Sequence, residues 1–377
     1  LSQHLNILNE RHHIMAVLSY SIPNPLSSYL LIAGLTACLT VLIATPIVRH
    51  VALQVGKVDL PSSRKVHGRP MVRLGGIAIC LGVVAALLLV IKLGGGTVLA
   101  DPNSRAVVAV MMGGLGFFAI GLADDWFSLA PLPRLLGQLM VSALVWQAGV
   151  RIEQITLPGL EIINLGWLSL PLTLLWLTGV VNAINWIDGL DGLAAGVGAI
   201  AAAASALICL QTGQIASALV MVCLLGSLLG FLVFNFNPAQ IFMGDGGSYF
   251  IGFLMAGVGI TGLVKTATAT AIFLPLLVLA VPLLDMLVVI LGRLLRGQSP
   301  FLADRSHLHH RLLGIGLPHR LTVVTIYALA WWMGSLALVF VGLPSSPLLL
   351  STALLGLAWI VWKSLQVILN SPVNSAS

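Results

Sequence analysis

Apolar residues fill this chain in long blocks, and polar residues gather in the short gaps between them. A hydrocarbon core of about 30 Å needs roughly 20 apolar residues per helix. On that measure the blocks are 28–49, 74–93, 105–123, 133–149, 169–184, 192–212, 215–234, 248–264, 270–295, 321–342 and 347–369. The pattern predicts an all-α fold, a polytopic helical membrane protein of about eleven transmembrane helices. The fourth and fifth blocks are short, and Thr212-Gly213-Gln214 makes only a slight break between the sixth and seventh. Blocks this continuous exclude a bacterial outer-membrane barrel, which is built from short alternating strands. One integral-membrane domain is expected over 28–369, between a polar segment, 1–27, and a tail, 370–377. Residues 1–27 lack the basic, apolar and small-residue order of a cleavable signal.

Composition sharpens this reading. The chain is 58% hydrophobic and 8% charged, against about 25% charged in an ordinary soluble protein. Mean hydropathy is +1.05, and no soluble interior hides that much apolar surface. Cys38, Cys80, Cys209 and Cys223 all lie inside apolar blocks without metal-like spacing, so they read as small core residues. The net charge of +6 sets topology and calls for no nucleic acid. Odd-to-even gaps hold Arg49, Lys57, Arg64, Lys65, Arg69, Arg73, Arg134, Arg296, Arg305, Arg311 and Arg320. The other gaps and their flanks hold Lys92, Arg105, Arg151 and Lys265. Basic residues favour the cytoplasmic side, so the odd-to-even gaps and the C-terminus are expected there, with the N-terminus outside.

The acids then fall into place. Asp124-Asp125 follow the third block, Asn185 to Gly192 (with Asp188 and Asp191) the fifth, and Phe242 to Ser248 (with Asp245) the seventh. The run His307-Leu308-His309-His310-Arg311 follows the ninth, and the basic stretch 57–76 follows the first. Carboxylates beside hydrocarbon are costly and mark functional sites. Five polar clusters on one face make one composite site. Asp285, inside the ninth block, reads equally well as a buried structural group or a functional one. Trp126, Trp167, Trp186, Trp331 and Trp332 at block edges read as an aromatic belt. Acids without Cys ligands favour a hard cation, Mg²⁺ or Mn²⁺. Magnesium keeps few protein carboxylates and completes its shell with water and substrate phosphates, so acids mixed with Lys and Arg point to a phosphate-bearing substrate. No P-loop and no Rossmann fingerprint is present. A secondary transporter would put its ionisable groups near the midplane and show repeats. A zinc hydrolase would pair its His with Glu in an H-E-x-x-H arrangement.

The motifs Asp124-Asp125, Asn185-x-x-Asp188-Gly-Leu-Asp191-Gly-Leu, Phe242-Met-Gly-Asp245-x-Gly-Ser248 and His307-Leu-His309-His310-Arg311-Leu312 occur in this order. With Arg64-Lys65-Val66-His67-Gly68 and Leu74-Gly75-Gly76 upstream, the chain resembles the polyprenyl-phosphate N-acetylhexosamine-1-phosphate transferase superfamily over about residues 30–370. Leu308 interrupts the His run, and Arg311-Leu312 follows it. This resembles the branch acting on UDP-GlcNAc and undecaprenyl phosphate more than the phospho-MurNAc-pentapeptide transferases, which carry three consecutive His.

The resemblance implies release of UMP at the cytoplasmic face of the bacterial inner membrane, with Mg²⁺ (Mn²⁺ as the alternative) as cofactor. It implies Asp245 as metal ligand, with Asp188 a second candidate, and Asp124 acting on the lipid phosphate with Asp125 supporting it. Asp124 is open as base, nucleophile or positioning group. Asn185, Asp188 and Asp191 are expected to shape the nucleotide and metal pocket, 188 and 191 sharing a helix face. Lys65, His307, His309, His310 and Arg311 are expected to contact the phosphates and nucleotide. Membrane lipid is the surrounding partner, and a homodimer is left open.

Overall fold

The blocks of apolar residues fold as helices because in a bilayer only internal hydrogen bonds can satisfy the backbone. The computed structural model describes residues 24–56, 71–94, 104–155, 163–263, 273–299 and 306–370. In chain order the helices are α1 (Asn24–Gln54), α2 (Gly75–Lys92), α3 (Ser104–Phe127), α4 (Pro131–Gln147), α5 (Ser169–Ile187) and α6 (Leu193–Gln211). They continue with α7 (Ile215–Asn235), α8 (Gly244–Val258), α9 (Phe273–Val278), α10 (Ala280–Leu295), α11 (Leu308–Gly314), α12 (His319–Phe340) and α13 (Ser346–Asn370). A two-stranded antiparallel ribbon, β1 (Gln154–Ile155) with β2 (Ile163–Asn164), precedes α5, pairing Gln154 with Asn164.

Among the described residues, eight helices are long and apolar enough to cross a membrane, which makes this a multi-pass membrane protein. The remaining apolar blocks are helical but short or broken. Helix α4 has 17 residues, and α8 has 15 before a five-residue π turn at Gly259–Leu263. The 270–295 block divides at Leu279, where Pro282 removes the N–H that the Val278 carbonyl would accept. The slight break between the sixth and seventh blocks is a true turn, with Gly213 at φ 73°, the left-handed conformation that ends helices.

Helix α6 is the hub. Its small residues (LAAGVGAIAAAASALICLQ) are buried almost all round, and it packs on α7 and α12. Helix α8 is buried along its length between α3 and α5. On α1, Leu31, Leu35, Leu39, Ile43 and Ile47 form an exposed stripe at four-residue spacing. Apolar side chains displayed outward in that number suit lipid, not water.

Candidate active site

Two helix ends, of α3 and α5, and two helix starts, of α2 and α8, converge, and glycine is the reason they come so close. Helix α8 begins at Gly244 (φ 75°), where a Cβ would lie 2.0 Å from the Arg73 carbonyl oxygen. The preceding Phe242-Met243 is pinned to the start of α2: Phe242 N–H donates to the Val72 carbonyl at 2.8 Å, and Gly75 and Gly76 donate back to residues 242 and 243. On the other side Gly121 of α3 abuts the Asp245 backbone, since a Cβ there would meet its carbonyl oxygen at 2.3 Å.

This approach lets the last turn of α3 grip the first turn of α8. The Asp125 oxygens accept the backbone N–H of Asp245 and of Gly246, each at 2.9 Å. A carboxylate so placed satisfies orphan amides and meets the positive end of the helix. Asp124, buried, turns the other way: Oδ1 accepts the Leu129 N–H at 2.7 Å and Oδ2 takes a hydrogen bond from Arg134. The Asp124 and Asp245 carboxyls face the same arginine. Arg134 bridges the pair, with Nη1 3.7 Å from Asp245 Oδ2, and Arg73 approaches Asp245 from the opposite side at 3.9 Å. Asn185, from the last turn of α5, donates to Asp245 Oδ1 at 2.8 Å and to Ser248 Oγ at 2.9 Å.

Residues 188–192 do not continue α5. Helix α5 ends at Ile187, α6 starts at Leu193, and Gly192 at φ 78° turns the chain. The expectation that Asp188 and Asp191 share a helix face is therefore corrected, because Gly189 between them and Gly192 after them favour a turn. Asp191 instead accepts from Asn237 Nδ2 and from the Ala239 N–H, both at 3.0 Å, and so ties down the segment leading to Asp245. Asp188 stays closer to the charge cluster. Burial pushes its carboxyl up to about 7, Arg73 opposes the shift, and Asp125 and Asp191 add to it.

The histidine segment lies against that turn. His309 is 2% exposed, its ring nitrogens have no hydrogen-bond partner among the described residues, and its Nε2 would stand 2.4 Å from a Cβ on Gly189. Burial, reinforced by His310 and His307, lowers its pKa to about 4, so His309 is neutral at pH 7. His307 stacks on His309 at 5.7 Å, and His310 lies 4.3 Å from His309. Trp186 meets the His307 ring edge-on at 5.8 Å rather than joining an outer belt. Arg311 is exposed and lines a cleft of about 230 Å³ together with Leu284, Asp285, Val288, Leu308 and Met333. Lys65 lies outside the described residues, as does most of the basic stretch 57–76.

The structure thus gathers Asp124, Asp125, Asn185, Asp188 and Asp245 with the His307–His310 rings behind them. Sequence reasoning counted Arg134 and Arg73 only as topology signals, and their place against the acids was missed. Both lie at odd-to-even gaps, on the same predicted face as the acids, and that was the available signal. Among the described residues no three His, Cys, Asp or Glu side chains form a complete metal cage. Two carboxylates that share one arginine are nevertheless a hard-oxygen donor set of the size magnesium takes from a protein, and like charges held near one another favour a cation between them.

The glycosyl transferase family 4 model matches residues 107–263, which span α3 to α8. A probable undecaprenyl-phosphate N-acetylglucosaminyl 1-phosphate transferase of Bacillus subtilis is 38% identical over 82% of this chain and 84% of its own. A decaprenyl-phosphate N-acetylglucosaminephosphotransferase of Mycobacterium tuberculosis is 37% identical over 82% of this chain and 81% of its own. A phospho-N-acetylmuramoyl-pentapeptide-transferase of Shouchella clausii is 32% identical over 67% of this chain and 78% of its own. With membrane helices, converging acids and relatives of this similarity across most of its length, the chain belongs to glycosyl transferase family 4, the polyprenyl-phosphate N-acetylhexosamine-1-phosphate transferases.

Proposed function

We propose that this protein transfers N-acetylglucosamine-1-phosphate from UDP-GlcNAc to undecaprenyl phosphate at the cytoplasmic face of a bacterial inner membrane. The products are undecaprenyl-diphosphate-GlcNAc and UMP. The observation that carries the reading is the Asp124–Asp245 carboxyl pair, braced by Arg134 and Asn185 at the meeting point of α3, α5 and α8. The interrupted histidine run and the greater identity to the Bacillus subtilis relative, 38%, than to the pentapeptide enzyme, 32%, favour UDP-GlcNAc over UDP-MurNAc-pentapeptide.

In the reaction an oxygen of the lipid phosphate bonds to the β-phosphorus of UDP-GlcNAc. The bond from that phosphorus to the bridging oxygen breaks, and UMP leaves with the electron pair. One phosphoanhydride replaces another, so no ATP is required. The second pKa of a phosphate monoester is about 6, so the acceptor is already ionised at neutral pH and gains little from a general base. Positioning and charge neutralisation then supply most of the rate. Asp245, with Asp124 beside it and Asp188 as a further candidate, would hold Mg²⁺, which when bound neutralises phosphate charge. Arg134 fixes Asp124 and keeps the pair together. Asp125 holds the first turn of α8 in place. Arg73, Arg311 and Lys65 are the cations for phosphate oxygens, and the histidines stand beside the nucleotide. The cleft between α10 and α12, apolar apart from Asp285 and Arg311, offers volume for the first isoprene units of the acceptor.

Eleven spans fit this arrangement, counting α4, α8 and the broken α9–α10 pair. The basic gaps and C-terminus then lie in the cytoplasm, and the whole of 28–369 acts as one domain. The test is UMP release by purified protein supplied with undecaprenyl phosphate, Mg²⁺ and either UDP-GlcNAc or UDP-MurNAc-pentapeptide. Lipid-dependent release with UDP-GlcNAc alone, stopped by EDTA and restored by Mg²⁺, is the expected result. Release with the pentapeptide substrate alone overturns the donor, and persistence in excess EDTA overturns the cofactor.

A further inference from the structure

The histidine segment is held from one side by an acid that the reaction scheme does not use. Helix α10 is apolar but for Asp285 and Arg293. Asp285 is 8% exposed and spends both oxygens on two consecutive residues: Oδ1 accepts the Leu308 N–H at 2.7 Å, and Oδ2 accepts from His307 Nδ1 at 2.9 Å. His307 is equally buried, at 8%. Its ring is closed in by His309 stacked at 5.7 Å and by the edge of Trp186, over which the buried Arg293 guanidinium sits at 5.4 Å. The ring is therefore fixed by charge on one side and by aromatic contact on two others.

A buried carboxylate inside an apolar helix is costly, and a leucine there would pack without that cost. Fixing backbone alone needs only the bond to Leu308, which an asparagine could make. The second bond does something an asparagine cannot. A carboxylate only accepts, so the proton of the His307 ring must sit on Nδ1. That leaves Nε2 as the nitrogen able to meet a ligand, with its orientation set by Asp285.

We propose that Asp285 is a positioning residue for the transfer: it locks the tautomer and plane of His307, and through that ring orients the diphosphate of the nucleotide sugar. The assignment rests on the function proposed above. Asp285 touches no reacting atom and acts only through His307.

A double-mutant cycle tests it, with lipid-dependent UMP release from UDP-GlcNAc as readout. Asp285→Asn keeps the volume and the acceptor for Leu308 but reverses the bond to the ring. Its kcat falls about 30-fold, in the range expected when a group near the chemistry is misplaced by less than 1 Å, while KM for UDP-GlcNAc stays within about twofold. His307→Gln falls at least as far. The double variant is no slower than His307→Gln alone, because groups acting in series are not additive. If Asp285→Asn does not accumulate as folded protein, Asp285→Glu is combined with His307→Gln in the same cycle. Losses that multiply in the double variant, or an Asp285 variant within twofold of the parent, overturn the inference and leave Asp285 as a structural staple. Absence of UMP release by the parent protein is a different failure: it removes the proposed function first and this inference with it.

Discussion

Adding one methyl group at Gly121 should cost most of the activity without touching a charged residue. A Cβ at this position would stand 2.3 Å from the Asp245 carbonyl oxygen, 2.5 Å from its carbon and 2.6 Å from the Gly246 nitrogen. These are backbone atoms at a helix start, so no side chain can swing aside. Ordinary contact begins at 3.4 Å, and the first turn of α8 must therefore retreat by about 1 Å. That motion stretches the two 2.9 Å bonds to Asp125 beyond the about 3.2 Å limit of a good N–H···O bond, and it draws Asp245 away from Asp124. A misplacement of about 1 Å costs on the order of 100-fold in rate, or about 2.7 kcal/mol of barrier. Overpacking should also lower stability by about 1–3 kcal/mol. Gly179→Ala on α5 is the control, because nothing stands within 4 Å of its Cβ. Both variants should be purified and assayed for lipid-dependent UMP release and for thermal midpoint in detergent. Turnover by Gly121→Ala within twofold of Gly179→Ala would refute the claim that backbone approach sets the acid pair.

Asp245→Asn should lower turnover at least about 100-fold while leaving protein that is folded and membrane-inserted, the loss expected when a charge that aligns a phosphoryl group is removed. Near-normal UMP release would remove Asp245 as the metal ligand. Arg134→Lys keeps the charge but loses the guanidinium whose Nη1 reaches both acids. Hydrogen bonds of charged groups are worth about 1.5–3 kcal/mol, so a fall of about 10- to 100-fold in kcat is expected, and an unchanged rate would show that a point charge suffices. For His309 the pH dependence has a definite sign. Its folded pKa is about 4 against 6.5 for the free side chain, so the unfolded chain takes up the proton first and stability is lost as pH falls from 6.5 towards 4. Between pH 7.5 and 5 the parent should lose about 2 kcal/mol more stability than His309→Gln, read as a larger fall in thermal midpoint; parallel curves would mean that the ring is not desolvated.

What could be read from the sequence follows from what each residue costs. Asp124, Asp125 and Asp245 stood out because a carboxylate at the edge of hydrocarbon needs a reason, and the structure brings all three together. Arg134 was hidden because a basic residue at a span end has a sufficient explanation in topology, and only distance reveals its bond to Asp124. Asp285 was visible as an anomaly, but a single acid in an apolar run does not name its partner, which lies 22 residues on. Periodicity failed at Asp188 and Asp191, since a spacing of three is informative only where the chain is helical, and α5 has already ended at Ile187 before a turn that holds Gly189 and Gly192. Block lengths marked the helices well in the middle of the chain. They blurred at α8 and at α9–α10, where a π turn and Pro282 change the rise of the chain without changing its hydropathy.

The grip of Asp125 on α8 also constrains how the protein is made. Its two partners lie 120 and 121 residues further along the chain. At a synthesis rate of about 5–20 residues per second, roughly 6 to 24 s pass between emergence of Asp125 and emergence of the amides that will hold it. During that interval Leu129 and Arg134 already answer Asp124, but Asp125 has hydration in place of its two amides. The growing chain must therefore keep that helix end in contact with water until α8 arrives, and the site closes as one of the last acts of assembly rather than the first.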